Sequence, residues 1–302
     1  MIVFDHLTKK YGQLRAVDDL SFEVQPGRVT GFLGPNGAGK TTTLRVATAL
    51  IHADGGQVMF DGKTYHSLKK PMHQIGVALE PTIFHPGRTA ADHLMMLAPY
   101  AGVGRKRVKD VLDFVGLTDV AGKRVGKYSL GMRGRLNLAA ALLGDPHTLL
   151  LDEPVNGLDP EGIRWIRELL QALARQGRTV LTSSHLLSEV EQTVDEVVII
   201  AHGKLVHQGT LNELESRQTR RATLVEVEDR DSLLRLALSQ GWQVRDPENP
   251  RSRGVVVEGI DPAYVSRAVY QAGLSVLQLT PVVTSGLEEV FFSLTEGQGS
   301  VR

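Results

Sequence analysis

The sequence predicts an α/β domain on a parallel sheet, carrying a helical insertion and followed by a small α+β domain of ferredoxin-like pattern. Three observations lead there. Strand and helix patterns alternate over 148–205 in "TLLLDE", "IRWIRELLQALARQG", "TVLTSS", "LLSEVEQTV" and "DEVVIIAHGKLV", and such alternation builds a parallel sheet covered by helices. Between about 82 and 145 the texture is helical throughout. From about 219 the order restarts as strand, helix, strand, strand, helix, strand, the βαββαβ pattern.

Taken in order, "MIVFDHL" and "LSFEVQPG" suit strands at a sheet edge, and "RVTGFLG" is a buried strand running into a glycine-rich loop. "KTTTLRVATAL" reads as a helix with Leu44, Ala47, Ala49 and Leu50 apolar, and "GGQVMFDGKTY" as a hairpin. "GVALEPTIF" is an apolar strand that ends at Glu80-Pro81, because proline stops the ladder. "TAADHLMMLAPYAG", "KRVKDVLDFVGL" and "RGRLNLAAALLG" each carry an apolar face at helical spacing. "GTLNELESRQTRR", 209–221, is a helix and charged linker, which sets the predicted domains at 1–218 and 219–302. "SGLEEVFFSLTEG" adds a last helix with Ser285 as N-cap.

Composition narrows the classes. The 302 residues suffice for one large domain or two ordinary ones, and 42% apolar with 23% charged residues is an ordinary globular balance. Lys plus Arg and Asp plus Glu both total 34, so net charge gives no general drive toward nucleic acid or anionic lipid. With no cysteine, disulfides, thiol catalysis and Cys-ligated zinc are excluded. "MIVFDHLTKKYG" lacks a basic region followed by an apolar core, and no apolar run approaches a membrane span, so the chain is expected to be soluble by itself.

"GPNGAGKTT" follows a strand and opens a helix, the context a P-loop requires. Gly34, Pro35, Asn36, Gly37, Ala38 and Gly39 would turn backbone N–H groups toward one anion, aided by the helix N-terminus. Lys40 would reach the β- and γ-phosphates, Thr41 would hold Mg²⁺, and Thr42 would meet another phosphate oxygen. "TLLLDEP" is an apolar strand ending in two carboxylates. Alone, such a pair reads as an acidic strand cap. After a P-loop, Asp152 suits the Mg²⁺ water shell, and Glu153 suits accepting a proton from an attacking water.

With these motifs in this order, residues 1 to about 215 resemble the nucleotide-binding subunit of an ABC transporter. The resemblance implies a P-loop NTPase fold and hydrolysis of ATP with Mg²⁺. It also implies a dimer in which each ATP lies between two chains, and a separate membrane permease at the cytoplasmic face, with no nucleic-acid partner. It makes Tyr11 the ring that stacks on adenine and His185, at the end of "LTSSH", the switch histidine that contacts the γ-phosphate. Ser129 and Gly131 become the segment that caps the ATP of a second subunit, and Asp159 in "NGLDP" the acidic member of the loop crossing the dimer seam. Where the family has Ser-Gly-Gly-Gln, this chain has Ser129-Leu130-Gly131-Met132, which bears on closure and turnover.

Glu80 stands where the family usually has glutamine. The exchange keeps an oxygen, loses an NH₂ donor and adds a charge, and it makes Glu80 a metal-side ligand in a segment, near Thr82–Thr89, that would meet the permease. The extension, "VALEP" and "SSHLLSEVE" resemble bacterial drug and antibiotic exporters. A weakly hydrolytic regulatory ATPase and an importer motor stand as alternatives. Members acting on ribosomes or DNA carry paired cassettes or coiled coils that this chain lacks.

Overall fold

The structure is a computed structural model that describes residues 1–79, 84–185, 191–218, 221–247, 252, 254–283 and 291. Glu80 with Pro81–Ile83, most of the helix expected at 186–194, and Ser285 with the last helix lie outside the described residues. The chain divides into two compact units, Met1–Leu211 joined by Phe291, and Asn212–Val290.

The first unit holds two sheets. An antiparallel sheet has the order β2-β1-β4, from β1 (Ile2–Tyr11), β2 (Leu14–Val24) and β4 (Gly55–Phe60). The hairpin expected at 55–65 is corrected here. Only its first arm is a strand, paired to β1; past Asp61-Gly62 the second arm keeps a single bridge, Phe60 to Lys63, before a 3₁₀ turn at Tyr65–Ser67. The physical reason is that β1 already satisfies the arm's ladder and leaves the other arm without a sheet to extend.

The second sheet has the order β5-β6-β7-β3-β8-β9, from β3 (Val29–Leu33), β5 (Ile75–Ala78), β6 (Thr148–Leu151), β7 (Thr179–Ser184), β8 (Glu196–Ala201) and β9 (Lys204–Gly209). Neighbours are parallel except β9, which returns from β8 through His202-Gly203, both at positive φ as a tight two-residue hairpin turn requires. Every residue of β3, β6 and β7 is buried, because helices and the antiparallel sheet cover both faces. The alternation is visible in β6: Leu149 and Leu151 enter the core shared with the helical insertion, whereas Leu150 enters the core shared with Phe4, Phe22 and Phe32.

Among the described residues the α-helices of this unit are α1 (Lys40–Ala47), α2 (Pro71–Gln74), α3 (Ala90–Leu97), α4 (Arg105–Phe114), α5 (Leu130–Leu142) and α6 (Pro160–Arg175). Thr89 caps α3 by accepting from the Asp92 amide at 3.1 Å. Asp159 caps α6 ahead of Pro160, whose missing N–H costs nothing at that position. Helix α5 lies close on β5: a Cβ at Gly76 would overlap the Ala141 carbonyl oxygen, and one at Gly144 would overlap that of Met72. Asn137 Nδ2 adds a hydrogen bond of 2.8 Å to the Leu79 carbonyl.

The far end of α5 is capped by α4, since Arg107 donates to the Leu142 and Leu143 carbonyls. Beside it Asp145 accepts from Arg178 at 2.8 Å. Burial pushes the Asp145 carboxyl up, but Arg178 and then Arg107 outweigh it, and its pKa lies below the ordinary 3.8. A carboxyl depressed on folding contributes stability above its unfolded pKa and loses it as pH falls through the folded one. Asp145→Asn keeps a residue that tolerates the positive φ here. The urea midpoint of this variant should therefore trail wild type by a constant gap from pH 8 to about pH 5. The gap should narrow below that as the unfolded carboxyl protonates, and close as pH falls through the lower native pKa.

Helix α7 (Leu211–Gln218) leads into the second unit, an antiparallel sheet of order β11-β12-β10-β13. Its elements are β10 (Arg221–Val227), α8 (Arg230–Ser239), β11 (Gln243–Arg245), β12 (Val255–Glu258), α9 (Pro262–Gln271) and β13 (Val276–Val283). That connectivity and strand order make the ferredoxin-like fold. Asp229 and Asp261 cap its helices, and Val225, Leu233, Trp242, Val257 and Val265 form its core.

Candidate nucleotide site

The site assembles at the carboxyl ends of three adjacent strands. β6, β7 and β3 lie side by side, so the segments that follow them meet at one edge although they are far apart in sequence. After β3 comes the glycine-rich loop. A Cβ at Gly34 would stand 2.5 Å from the Ile200 carbonyl oxygen. One at Gly39, where φ is 106°, would overlap that of Ala16. The loop is therefore pressed between β2 and β8. The turn after β8 also holds it from outside, where Gly203 N donates to the Ala38 carbonyl at 3.0 Å. Gly37, at φ 81°, faces open space. Gly39→Ala forces a strained conformation and a backbone overlap together. It should destabilise the chain by about 2–4 kcal/mol and abolish nucleotide binding, measured by chemical unfolding and equilibrium titration.

Lys40 opens α1 and is only 6% exposed. Its Nζ donates to the Gly34 carbonyl at 2.6 Å and lies 3.7 Å from Glu153 Oε1. Burial lowers its pKa, only partly countered by Glu153 and Asp152. A buried ammonium of this kind gains from an additional anion. Thr41 Oγ1 donates to Asp152 Oδ2 at 2.8 Å, so the two expected Mg²⁺ residues are adjacent. Asp152 is buried, and its other oxygen accepts from Ser183 Oγ.

Glu153 adopts φ 49°, an unfavourable backbone region for a residue with a Cβ. Its amide donates to Ser183 Oγ at 2.9 Å. Its Oε2 lies 2.8 Å from His185 Nδ1 and accepts from Asn156 Nδ2 at 3.3 Å. The strain is held in place by partners on β7 and in the following loop, as functional sites commonly show. The carboxylate is thus fixed, accessible on one side and paired with an imidazole, an arrangement able to orient a water and take its proton.

The structure brings together Gly34 to Thr42, Asp152, Glu153 and His185. Tyr11 ends β1, is 49% exposed, and has Lys9 Nζ 5.6 Å from its ring centroid. Ser129 and Gly131 start α5, where Ser129 Oγ accepts from the Met132 amide at 3.2 Å. Two contributors were missed from sequence. Ser183 ties Asp152 to Glu153; its signal was a hydroxyl near the end of β7, two residues before His185. Asn156 orients Glu153 from a turn whose amide returns to the Glu153 carbonyl.

The donors suit Mg²⁺, which prefers hard oxygens, keeps several waters and shares its shell with phosphates. Thr41 and Asp152 offer two such oxygens, and among the described residues no cluster of three or more His, Cys, Asp or Glu provides an alternative cage. Glu80 lies outside the described residues.

A buried parallel sheet that delivers a phosphate loop and an Asp-Glu pair to one edge defines a P-loop nucleoside triphosphatase. The family model for ABC transporters matches residues 17–156. The bacitracin transport ATP-binding protein BcrA of Bacillus licheniformis is 38% identical over 96% of each chain. The lantibiotic transport ATP-binding protein SrtF of Streptococcus pyogenes is 34% identical over 68% of this chain and 89% of its own. Among solved structures, an ATP-binding subunit of an ABC transporter aligns at TM-score 0.66 and 25% identity, covering 72% of this chain and 92% of its own. The dimeric cassette MJ0796, in a post-hydrolysis state with ADP and Pi, aligns at 0.64 and 23%, covering 70% and 99%. The chain belongs to the ABC transporter family, as an ATP-binding subunit that hydrolyses ATP with Mg²⁺ to power transport. Among the described residues no helix is long and apolar enough to cross a membrane.

Proposed function

We propose that this chain is the motor of a bacterial exporter for peptide antibiotics or related amphiphilic drugs, working as a homodimer beneath a separate permease at the cytoplasmic face of the membrane. The observation that carries the reading is the 38% identity to a bacitracin transport subunit across 96% of both chains, which takes in the second unit as well as the cassette. The domains are then a cassette of residues 1–218 and an accessory domain of residues 219–302. The latter stabilises or regulates the dimer.

In this reading the amides of residues 34–42 and Lys40 bind the triphosphate, and Tyr11 stacks on the adenine. Thr41 and Asp152, with Glu80, would hold Mg²⁺, which would supply positive charge against the phosphates. Glu153 orients the attacking water and accepts its proton, while His185 fixes the carboxylate and faces the γ-phosphate. Ser129 and Gly131 reach the ATP of the second protomer, so ATP contacts both chains only when they are closed, and binding drives closure.

The test is co-expression with a six-span permease that lacks its own ATPase domain, in a bacitracin-sensitive host. At least a fourfold rise in the inhibitory concentration is expected, lost with Glu153→Gln. No rise with either bacitracin or a lantibiotic would overturn the substrate class.

A further inference from the structure

The sequence departs from its family's pattern at Leu130, and the structure shows what this side chain touches. Leu130 is the first residue of α5 and Gly157 belongs to the turn before α6. A methyl group added to Gly157 would overlap Leu130 Cδ2 and stand 2.6 Å from its Cγ. The reciprocal contact is also present: a Cβ at Gly131 would stand 3.1 Å from Leu158 Cδ2 and 3.4 Å from the Gly157 carbonyl oxygen. Leu130-Gly131 and Gly157-Leu158 therefore interlock, each leucine lying over the other segment's glycine. Gly157 is also at φ 74°, where glycine is favoured for its backbone as well.

The turn carrying Gly157 packs Val155 and Leu158 against the core of the helical insertion. Asn156 N donates to the Glu153 carbonyl and Leu158 N to the Val155 carbonyl, each at 3.2 Å. The two segments line one cavity of about 430 Å³, with Ser129, Gly131 and Met132 on one wall and Gly157 to Asp159 on the other.

We propose that Leu130 is a positioning residue that ties the first turn of α5 to the 156–160 loop of the same protomer, so that both meet a second protomer as one rigid edge. The part concerning the second protomer rests on the homodimer reading above. Leu130 itself touches no nucleotide in this scheme; it acts through the loop, which also carries Asn156, the Glu153 partner.

The experiment compares Leu130→Ala and Leu130→Met in the full chain. Alanine keeps helix propensity while removing the contact, and methionine restores its bulk. Hydrogen exchange is read first on the nucleotide-free monomer, for peptides covering 154–161. Exchange at least tenfold faster in Leu130→Ala, and within twofold of wild type in Leu130→Met, is expected, with residues 40–47 unchanged. Equal exchange in wild type and Leu130→Ala, or equal acceleration in both variants, overturns the tie.

The second readout is ATP-dependent dimer formation in a Glu153→Gln background by sedimentation. Leu130→Ala should raise the dimer dissociation constant at least tenfold while ATP affinity of the monomer stays within twofold. Unaltered dimerisation overturns the role in closure. If the parent forms no ATP-dependent dimer, the homodimer reading and the rigid-edge role both fall. The exchange result still decides whether Leu130 ties the loop.

Discussion

Glu153→Gln is expected to lower ATP turnover by about 10²–10⁴-fold, the range a positioned general base contributes, while ATP binding persists. Glutamine is isosteric and inherits the same backbone strain at φ 49°, so the new cost to the fold is the lost charge 3.7 Å from Lys40. Its oxygen can still accept from His185 Nδ1, which in wild type lies 2.8 Å from Glu153 Oε2. What disappears is the charge and with it the capacity to accept a proton. The check is steady-state hydrolysis beside equilibrium ATP titration. A fall in turnover below tenfold would show that another group does the work. The same variant should accumulate ATP-bound dimers, because closing is retained while release is slowed.

Lys40→Met is the second large effect and separates binding from stability. Loss of the cation removes charge-assisted hydrogen bonds to phosphate, each worth about 1.5–3 kcal/mol, so ATP affinity should fall by about 10²-fold or more. The folded chain should not suffer similarly. Burial lowers the Lys40 pKa, so across neutral pH the unfolded chain binds its proton more tightly than the native one. The charged lysine therefore costs folding stability, relieved as pH rises through the lowered pKa. Removing the cation also takes a partner from Glu153 and Asp152, a cost that opposes the relief of burying Lys40, so the two effects offset each other. The melting temperature without nucleotide should stay within about 3 °C of wild type, whereas the rise that saturating ATP gives should vanish. A large drop without nucleotide would mean that Lys40 chiefly holds the loop through Gly34.

Much of the cassette was legible because its motifs are local. "GPNGAGKTT" is a complete phosphate loop within nine residues, and Gly34 and Gly39 have steric reasons that the structure locates at Ile200 and Ala16. "TLLLDE" and "LTSSH" are apolar strands ending in chemistry, so strand ends and candidate residues were read together. The ferredoxin-like order of the second unit followed from its alternation of strand and helix patterns. The hairpin at 55–65 failed because strand propensity does not say which neighbour satisfies a ladder, and here β1 does. Ser183 went unread because a serine in a buried strand ordinarily satisfies a backbone group, and only the pairing of β7 with β6 sets it beside Asp152 and Glu153.

The sequence by itself determined the phosphate loop, the identity and order of the acidic pair and the histidine, the helical insertion and the second fold. These depend on residue types at short spacing and on periodicity, which any chain segment carries with it. Only the tertiary structure decided that Ser183 and Asn156 hold Glu153 in a strained backbone, and that Lys40 is buried against Gly34. It also decided that Leu130 lies over Gly157 while Leu158 lies over Gly131. Those relations join residues from different strand ends and turns. They exist because parallel strands remote in sequence lie side by side, and because close packing lets a leucine rest only where the opposing residue has no side chain.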